Sequence, residues 1–272
     1  MTYDAREVSA DLGSPVELYE FVRGARRIRI TSADRDIVFG ANTFARAPVA
    51  RTAIESSIES ARSGITVTVP RSMEVAEWHR VAPPADAVLL TIWQSHTGDP
   101  DNEFVVVWQG RVMAVEFSGV TAEIACENVY SSIRRAGLRR CWQRPCPHVL
   151  YGPECGVSRE TFQQAGTATV VSGLTLTVPA FAALGSQLAG GYLQLALPDG
   201  QFERRAISAH AGSSVTIAQQ IVGLAAGASI IAYPGCDHTD TATGCQRFSN
   251  TLRYGGMPFI PRKNPFDGSP VY

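Results

Sequence analysis

The chain has 272 residues, which is enough for two domains that each bury a hydrophobic core. It carries 24 Lys and Arg residues against 25 Asp and Glu residues, so it lacks the surplus of positive charge that general nucleic-acid binding requires. No segment approaches the roughly 20 consecutive apolar residues of a membrane-spanning helix. The N-terminal residues are acidic where a secretion signal would be basic and then apolar. We therefore expect a globular protein that folds in a cytoplasm, with no nucleic-acid specificity and no membrane span.

Residues 1–135 have the pattern of a β domain. Two strand-like stretches within residues 16–31 lie on either side of Gly24, which predicts a β-hairpin. Alternating residues and short β-branched runs predict further strands. These are Ile65–Val69, Ala87–Trp93, Phe104–Trp108, Val112–Phe117 and Val120–Ala125. The domain is expected to be a mostly antiparallel barrel or sandwich.

Two segments of this domain indicate helices, Met73–Arg80 and Glu127–Arg135. The second segment would carry Val129, Tyr130 and Ile133 on one face. Cys126, at the end of the last predicted strand, is expected to be a small buried hydrophobe.

Two pairs of cysteines with the same spacing follow this domain. Cys146 and Cys155 lie in a linker, residues 136–160, whose gap is filled with turn formers. Cys236 and Cys245 lie in the last segment, residues 233–272. In a reducing cytoplasm, clustered thiols suggest a metal before a disulfide. The matched spacing is the strongest chemical signal in the chain.

Residues 161–232, between the pairs, predict a second, small β domain. Its predicted strands are Thr167–Val171, Leu174–Val178, Tyr192–Leu197, Phe202–Ala209 and Val215–Ala218. If both pairs bind one centre, the ends of this domain must return to each other and close a loop of about 80 residues. The centre would then act as a clasp.

Four thiolates suit either tetrahedral zinc or an iron-sulfur cluster. Structural zinc sites draw ligands from pairs two to four residues apart, so the wider loops here favour the bulkier cluster. A four-iron cluster with four thiolates is anionic, and nearby arginines could offset its charge or simply form a solvated surface. These are Arg139, Arg140, Arg144 and Arg247.

Other interpretations of the cysteines stay open. They could be inert thiols, or could form a disulfide after release from the cell. His148 and His238 could complete a mixed Cys/His zinc site. Cys141 lies a short loop before Cys146 and could replace it as a ligand, although the matched spacing favours Cys146.

None of the common catalytic signatures is present. The sequence has no P-loop, no Gly-x-Gly-x-x-Gly after a strand, no His-Glu-x-x-His and no Gly-x-Ser-x-Gly. The five histidines are far apart along the chain, and no residue stands out as a nucleophile. We expect a protein that is not an enzyme.

The cysteine segments carry several short motifs. The first is Leu150-Tyr151-Gly152-Pro153, between Cys146 and Cys155. It is followed by Tyr233-Pro234-Gly235-Cys236-Asp237, by Cys245-x-x-Phe248-x-Asn250 and by Tyr254-Gly255-Gly256-Met257-Pro258-Phe259-Ile260-Pro261. Together they resemble the siphophage tail tip or baseplate hub proteins, a family similar to the lambda minor tail protein L and to the hub proteins of gene transfer agents. The motifs cover about residues 139–262.

The resemblance implies a structural virion protein at the tail tip, assembled in the host cytoplasm. Such a hub connects the end of the tail tube to the receptor-binding tip, as a homotrimer. Its implied partners are the distal tail protein, the tape measure protein and the receptor-binding tip protein. The expected fold is mainly β, with an N-terminal hub domain, the small inserted β domain, a few short helices and an extended C-terminal arm.

By the same resemblance, a 4Fe-4S cluster would bind to Cys146, Cys155, Cys236 and Cys245. This sequence departs from the family pattern in two ways. The spacing from Cys236 to Cys245 is longer than expected for the family, with Thr243-Gly244 as the extra material, and Cys141 is an additional thiol. The alternatives are a zinc-stapled β adaptor and a cytoplasmic iron-sulfur redox protein.

The C-terminal arm is rich in aromatic residues and prolines. Phe248, Tyr254, Phe259 and Phe266 would lie along it, and such residues tend to seek a surface. We expect Gly255 to Tyr272 to pack on a neighbouring subunit or on the tip protein.

Overall fold

The computed structural model describes residues 3–9, 11, 13–55, 64–134, 137, 140–198 and 200–261. The chain divides into two compact units, residues 1–135 and 136–272. The described residues form a nine-stranded sheet in the first unit and a seven-stranded sheet in the second, with a few short helices, so the mainly β prediction is confirmed. Among them, no helix is long and apolar enough to cross a membrane. The finer boundaries predicted at residues 160 and 232 stay predictions.

The first unit contains one continuous sheet. Its strands are β1 (Pro15–Arg23), β2 (Arg26–Thr31), β3 (Ile37–Phe39), β4 (Asn42–Arg46), β5 (Ala50–Arg51), β6 (Ile65–Pro70), β7 (Leu89–His96), β8 (Val105–Ser118) and β9 (Thr121–Asn128). They are arranged in the order β3-β4-β2-β1-β7-β8-β9-β6-β5. All pairs are antiparallel except the parallel pair of β2 and β4.

Alternation along the strands explains how this sheet covers its core. In β6, Ile65, Val67 and Val69 are buried, while the threonines between them are half-buried. The hairpin predicted around Gly24 is confirmed as β1 and β2, and Gly24 takes a positive φ of 55° in its turn. Three further strands, β3 to β5, were not predicted, because strands of two to five residues carry too few alternations to be recognised.

The prediction of two strands, Phe104–Trp108 and Val112–Phe117, is wrong, because β8 is one strand that runs through Gly110. A Cβ at Gly110 would lie 2.0 Å from the carbonyl oxygen of Glu127 and 2.3 Å from the Trp108 ring. The glycine therefore allows β9 and the buried indole to approach the strand closely. A bulge between Val112 and Ala114 bends the second half of β8 against β9.

The helices of the first unit are short. They are α1 (Tyr3–Glu7), α2 (Glu74–Glu77) and a 3-10 helix (Val129–Arg134). The helix predicted over Glu127–Arg135 is wrong in its first two residues, since residues 127 and 128 pair with β8 as the end of β9. The proposed apolar face is also not a core face, because Val129, Tyr130 and Ile133 are 53%, 54% and 75% exposed.

The second unit holds the other sheet. Its strands are β10 (Gln164–Thr167), β11 (Val170–Ser172), β12 (Thr175–Thr177), β13 (Tyr192–Ala196), β14 (Phe202–Ala211), β15 (Ser214–Ile217) and β16 (Ser229–Tyr233). They are antiparallel and lie in the order β10-β16-β13-β14-β15-β12-β11. Its helices are α3 (Arg159–Phe162) and three 3-10 helices, Pro179–Leu184, Cys245–Phe248 and Thr251–Arg253.

The pairing of β10 with β16 brings together the first and the last strand of this sheet in chain order. The single strand predicted over Thr167–Val171 is wrong, because β10 ends at residue 167 and β11 begins at residue 170. β16 was not predicted at all. In the structure, Gln164 of β10 lies opposite Ala232 of β16. The segment that follows the first cysteine pair is therefore paired with the segment that precedes the second.

The predicted burial of Cys126 is confirmed, since it is 5% exposed within the core of the first unit. The core of the second unit is formed by aliphatic residues of the sheet together with Phe181 of a 3-10 helix. Each unit thus has a hydrophobic cluster of its own.

We predict that Gly110→Ala destabilises the first unit by about 1–3 kcal/mol, since the added methyl group must displace the Glu127 carbonyl or the Trp108 ring. Urea unfolding of the full chain measures the loss. Gly137→Ala is the matched control, because a methyl group at Gly137 meets no atom of the described residues within 4 Å. Equal midpoints for the two variants would contradict the close approach at Gly110.

Candidate metal centre

Two reciprocal hydrogen bonds join the first cysteine pair to the second. The backbone N–H of Cys146 donates to the carbonyl oxygen of His238 at 2.8 Å. The Nδ1 atom of His238 lies 2.9 Å from the carbonyl oxygen of Cys146, and because a carbonyl can only accept, Nδ1 carries the proton. The segment of residue 146 is thereby held against the loop that begins at Cys236.

Cys155 is connected to the second segment by further bonds. The Asn250 amide nitrogen donates to the carbonyl oxygen of Cys155 at 2.8 Å and lies 3.6 Å from its Sγ. The Tyr151 hydroxyl, in the turn between Cys146 and Cys155, donates to the carbonyl oxygen of Pro234 at 2.8 Å. All four predicted ligands therefore lie in segments that bond to each other.

Three of the four sulfur atoms have an N–H donor beside them. Sγ of Cys146 lies 3.4 Å from the backbone nitrogen of Gly255, and Sγ of Cys236 lies 3.3 Å from that of His238. The third donor is the Asn250 amide at Cys155. N–H groups directed at sulfur favour its anionic, metal-bound form.

The four thiols also influence one another electrostatically. Burial, followed by the charges of Cys236, Cys146 and Cys155, raises the pKa of Cys245 to about 11. Burial likewise raises the pKa of Cys236, and the charge of Cys155 adds to that effect. Cys146, Cys155 and Cys245 are buried, and Cys236 is half-buried. Ionising Cys236 and Cys245 is therefore unfavourable unless positive charge lies near them.

Hydroxyl groups stiffen the loop between Cys236 and Cys245. Asp237 accepts hydrogen bonds from the backbone and hydroxyl of Thr239 and from the hydroxyl of Thr243, at 2.5 to 2.9 Å. The backbone N–H of Cys245 donates to the carbonyl oxygen of Thr239 at 2.9 Å. Burial acts to raise the pKa of Asp237, but these hydrogen bonds outweigh it and hold the pKa below its usual value.

Glycines of the motifs occupy places where a side chain has no room. A Cβ at Gly244 would lie 2.0 Å from the carbonyl oxygen of Thr239, and one at Gly235 would lie 2.1 Å from that of Ala189. A Cβ at Gly255 would lie 2.5 Å from Nε2 of His148. Gly244, which the sequence suggested as extra material, is therefore an integral part of the folded loop.

Two of the cysteines belong to a small hydrophobic cluster that also contains several aromatic rings. It consists of Cys155, Val157 and Phe248, packed against Leu150, Tyr151, Phe162 and Cys236. The Phe248 ring meets those of Phe162 and Tyr151 edge-on, with centroids 4.9 and 6.1 Å apart. The assignment of Phe248 to an extended arm is wrong, because it is 6% exposed in this cluster.

The predicted arm begins within the second unit. The backbone N–H of Met257 donates to the carbonyl oxygen of Gln143, and Arg144 donates to that of Ile260. Residues 255–260 thus pack on the segment just before Cys146, a contact that the sequence did not predict. Phe259 is 96% exposed, while Phe266 and the rest of residues 262–272 lie outside the described residues. Their contact with a neighbouring protein stays a prediction.

The alternative ligands are placed differently from the four cysteines. Cys141 is exposed, whereas Cys146 is buried. His148 is buried, and both of its ring nitrogens are engaged: Nδ1 with the carbonyl oxygen of Arg253 at 3.1 Å, and Nε2 with the Arg140 guanidinium at 2.7 Å. His238 uses Nδ1 to hold Cys146. The histidines act as braces around the thiols.

The arginines proposed to offset negative charge also differ. Arg139 lies outside the described residues, Arg140 contacts His148, and Arg144 is exposed. Arg247 lies in the same 3-10 helix as Cys245, and its charge lowers the pKa of Cys236, although burial raises it overall.

The chemistry of the four cysteines fits an iron-sulfur cluster. N–H groups lie beside three of the four sulfurs, and thiolates are the usual ligands of such clusters. Among the described residues, no group of three or more His, Cys, Asp or Glu side chains is arranged to hold a metal ion.

The sequence indicated the cysteines but missed the residues that support them. Asn250, Tyr151 and Gly255 belong to the quoted motifs, yet their roles depend on contacts across distant positions of the chain. The bracing role of His238 was likewise missed, since the sequence suggested it only as a zinc ligand.

Comparison with known proteins gives the family. Residues 17–158 match the family described as baseplate hub protein, N-terminal attachment domain, and residues 187–264 match phage conserved hypothetical protein BR0599. The first match contains Cys146 and Cys155, and the second contains Cys236 and Cys245. The chain belongs to the baseplate hub protein family, as the resemblance indicated, and it is a structural protein of the virion tail.

Two individual proteins are similar to this chain. An uncharacterized protein of Xylella fastidiosa (strain 9a5c) is 27% identical, over 56% of this chain and 37% of the relative. The chain thus matches little more than a third of that relative's length. A chain from the virion of a native gene transfer agent particle superimposes with a TM-score of 0.76, at 18% identity, over 99% of this chain and 96% of that one. At this identity the likeness shows a shared fold.

We predict that Phe248→Ala destabilises the second unit by about 3–5 kcal/mol, because it empties the hydrophobic cluster that contains Cys155 and Cys236. Urea unfolding, with hydrogen exchange followed over β16, measures the effect. Phe259→Ala is the matched control and should change stability by less than about 0.5 kcal/mol, since this ring is exposed. Similar losses in both variants would show that the cluster does not support this unit.

Proposed function

We propose that this protein is a tail-tip hub with a 4Fe-4S cluster bound by Cys146, Cys155, Cys236 and Cys245. The cluster fastens the chain segment that precedes the second sheet to the segment that follows it. The cluster is structural in this proposal, and the chain has no catalytic role. The observation that carries the proposal is the meeting of the two cysteine segments through the bonds between Cys146 and His238.

The electrostatics of the thiols support a cationic group among them. Neutral thiols would be small apolar side chains, but the N–H groups beside the sulfurs of Cys146, Cys155 and Cys236 are typical partners of thiolates. Burial and the neighbouring sulfurs oppose ionisation of Cys236 and Cys245, and the positive charge of iron ions would overcome this opposition. Iron–thiolate bonds would then add their free energy to the stability of the folded unit.

The spacing of the proposed ligands favours a cluster over zinc. Structural zinc sites usually draw their ligands from pairs two to four residues apart, whereas the two cysteines of each pair here are nine positions apart. Loops of this width suit the bulkier cluster, whose iron atoms are spread over a larger volume. A zinc-stapled β adaptor and a cytoplasmic redox protein become outcomes of the test.

The family supports a proposal about the position in the particle. We propose that the chain connects the end of the tail tube to the receptor-binding tip as a homotrimer, in contact with the distal tail protein and the tape measure protein. A stiff second unit suits this position, because a hub must keep its shape while it transmits the signal for genome release. Electron microscopy of virions labelled on this chain should find three copies at the tail tip, and label along the tube would contradict the placement.

We predict that the full chain, purified without oxygen, contains about four iron and four sulfide ions per molecule. Single Cys→Ser changes at positions 146, 155, 236 and 245 should each lose iron and destabilise the second unit, since a serine is a poor ligand and leaves its neighbours unpaired. Iron, sulfide and zinc analysis, with thermal unfolding, measures both effects.

Cys126→Ser and Cys141→Ser are the controls for these variants. Cys126 is buried in the first unit and Cys141 is exposed, so both changes should leave the iron content unaltered. A colourless protein with one zinc per chain would overturn the cluster. Loss of iron in Cys141→Ser, with normal iron in Cys146→Ser, would reassign the ligand.

A further inference from the structure

We propose that Arg247 is a positioning residue for this centre, which directs two N–H donors at the cluster and offsets its negative charge. The inference rests on the proposed function, because it requires a cluster between the four cysteines. It goes further in assigning to one arginine the control of the reduction potential of the cluster.

Two contacts hold the guanidinium of Arg247 in place. Its Nη1 donates to the carbonyl oxygen of Gln187 at 3.3 Å, and its Cζ lies 4.7 Å from the centroid of the Phe248 ring. The same Gln187 carbonyl accepts a hydrogen bond from the backbone of Gly235, which directly precedes Cys236. The guanidinium is therefore fixed beside one of the proposed ligands.

The remaining donors of this guanidinium have no acceptor in the described part of the chain. Both Nε and Nη2 of Arg247 are buried, and neither has a hydrogen-bond partner there. A buried charged donor without an acceptor is strongly unfavourable, so such groups usually face a bound ion or ligand. The sulfur atoms of an anionic cluster would be acceptors of the required charge.

Two acids also lie in the loop between Cys236 and Cys245, namely Asp237 and Asp240. One oxygen of Asp240 is buried without a hydrogen-bond partner among the described residues. Arg247 supplies positive charge beside this loop, because it shares a 3-10 helix with Cys245 and its Nη1 shares the Gln187 carbonyl with the backbone N–H of Gly235.

The direction of the effect on the cluster follows from charge. Reduction adds an electron to an already anionic group, and a fixed cation with N–H donors stabilises the more negative form. Arg247 should therefore raise the reduction potential. Lysine at this position would keep the charge but lose the planar fork of donors, and glutamine would lose the charge.

The test compares Arg247→Gln and Arg247→Lys with wild type in the full chain, purified without oxygen and titrated with dithionite. Arg144→Gln is the matched control, because Arg144 is an exposed arginine of the same unit that donates to the Ile260 carbonyl. We expect the potential to fall from wild type to the lysine variant and further in the glutamine variant. The control should match wild type.

The outcomes separate this inference from the proposed function. A wild-type chain without iron and sulfide would overturn the cluster and the role of Arg247 together. A wild-type cluster whose potential is the same in both Arg247 variants and in the control would overturn the role of Arg247 alone. If Arg247→Gln does not retain a cluster, Arg247→Lys decides: a potential equal to that of wild type refutes the inference, and a lower potential supports it.

Discussion

The bonds between Cys146 and His238 are the constraint on which the proposed centre depends. They connect residues that are 92 positions apart, through one backbone donor and one imidazole donor. Closing so long a loop costs conformational entropy. The folding of the sheet between the two segments, in which β10 pairs with β16, offsets this cost in free energy. The sheet brings the segments close, and the local bonds then fix the orientation of the thiols. A cluster would add covalent links to a geometry that the chain already favours.

The same constraint explains why small and aromatic residues surround the cysteines. Gly235, Gly244 and Gly255 lie where neighbouring groups leave no room for a Cβ. Phe248 and Tyr151 pack in the hydrophobic cluster that contains two of the cysteines. The motifs that resemble those of baseplate hub proteins therefore describe a folded pair of loops as much as a set of ligands.

Much of the fold could be predicted from the sequence, because long strands with one buried face repeat every second residue. The alternation in β6 and the hairpin at Gly24 are of this kind. Short strands such as β5 and β10 could not be predicted, since their pairing depends on distant partners. Gly110 produces the opposite error, because a glycine that makes room for a tryptophan ring has, in the sequence, the pattern of a strand end.

The sequence suggests the ligands of the candidate site and does not reveal the residues that support them. Equal cysteine spacing suggests the four thiols, and the motif resemblance implies the kind of centre, which stays a proposal. The supporting contacts of His238 and Asn250 cross between segments, so no local pattern reveals them. The burial of Phe248 could not be predicted for the same reason, because it depends on rings that come from the other segment.

The proposed cluster can be located in a crystal of the full chain grown without oxygen, by anomalous X-ray diffraction at the iron absorption edge. We expect compact iron density enclosed by Cys146, Cys155, Cys236 and Cys245. A single zinc peak among these residues, or iron bound elsewhere in the chain, would contradict it.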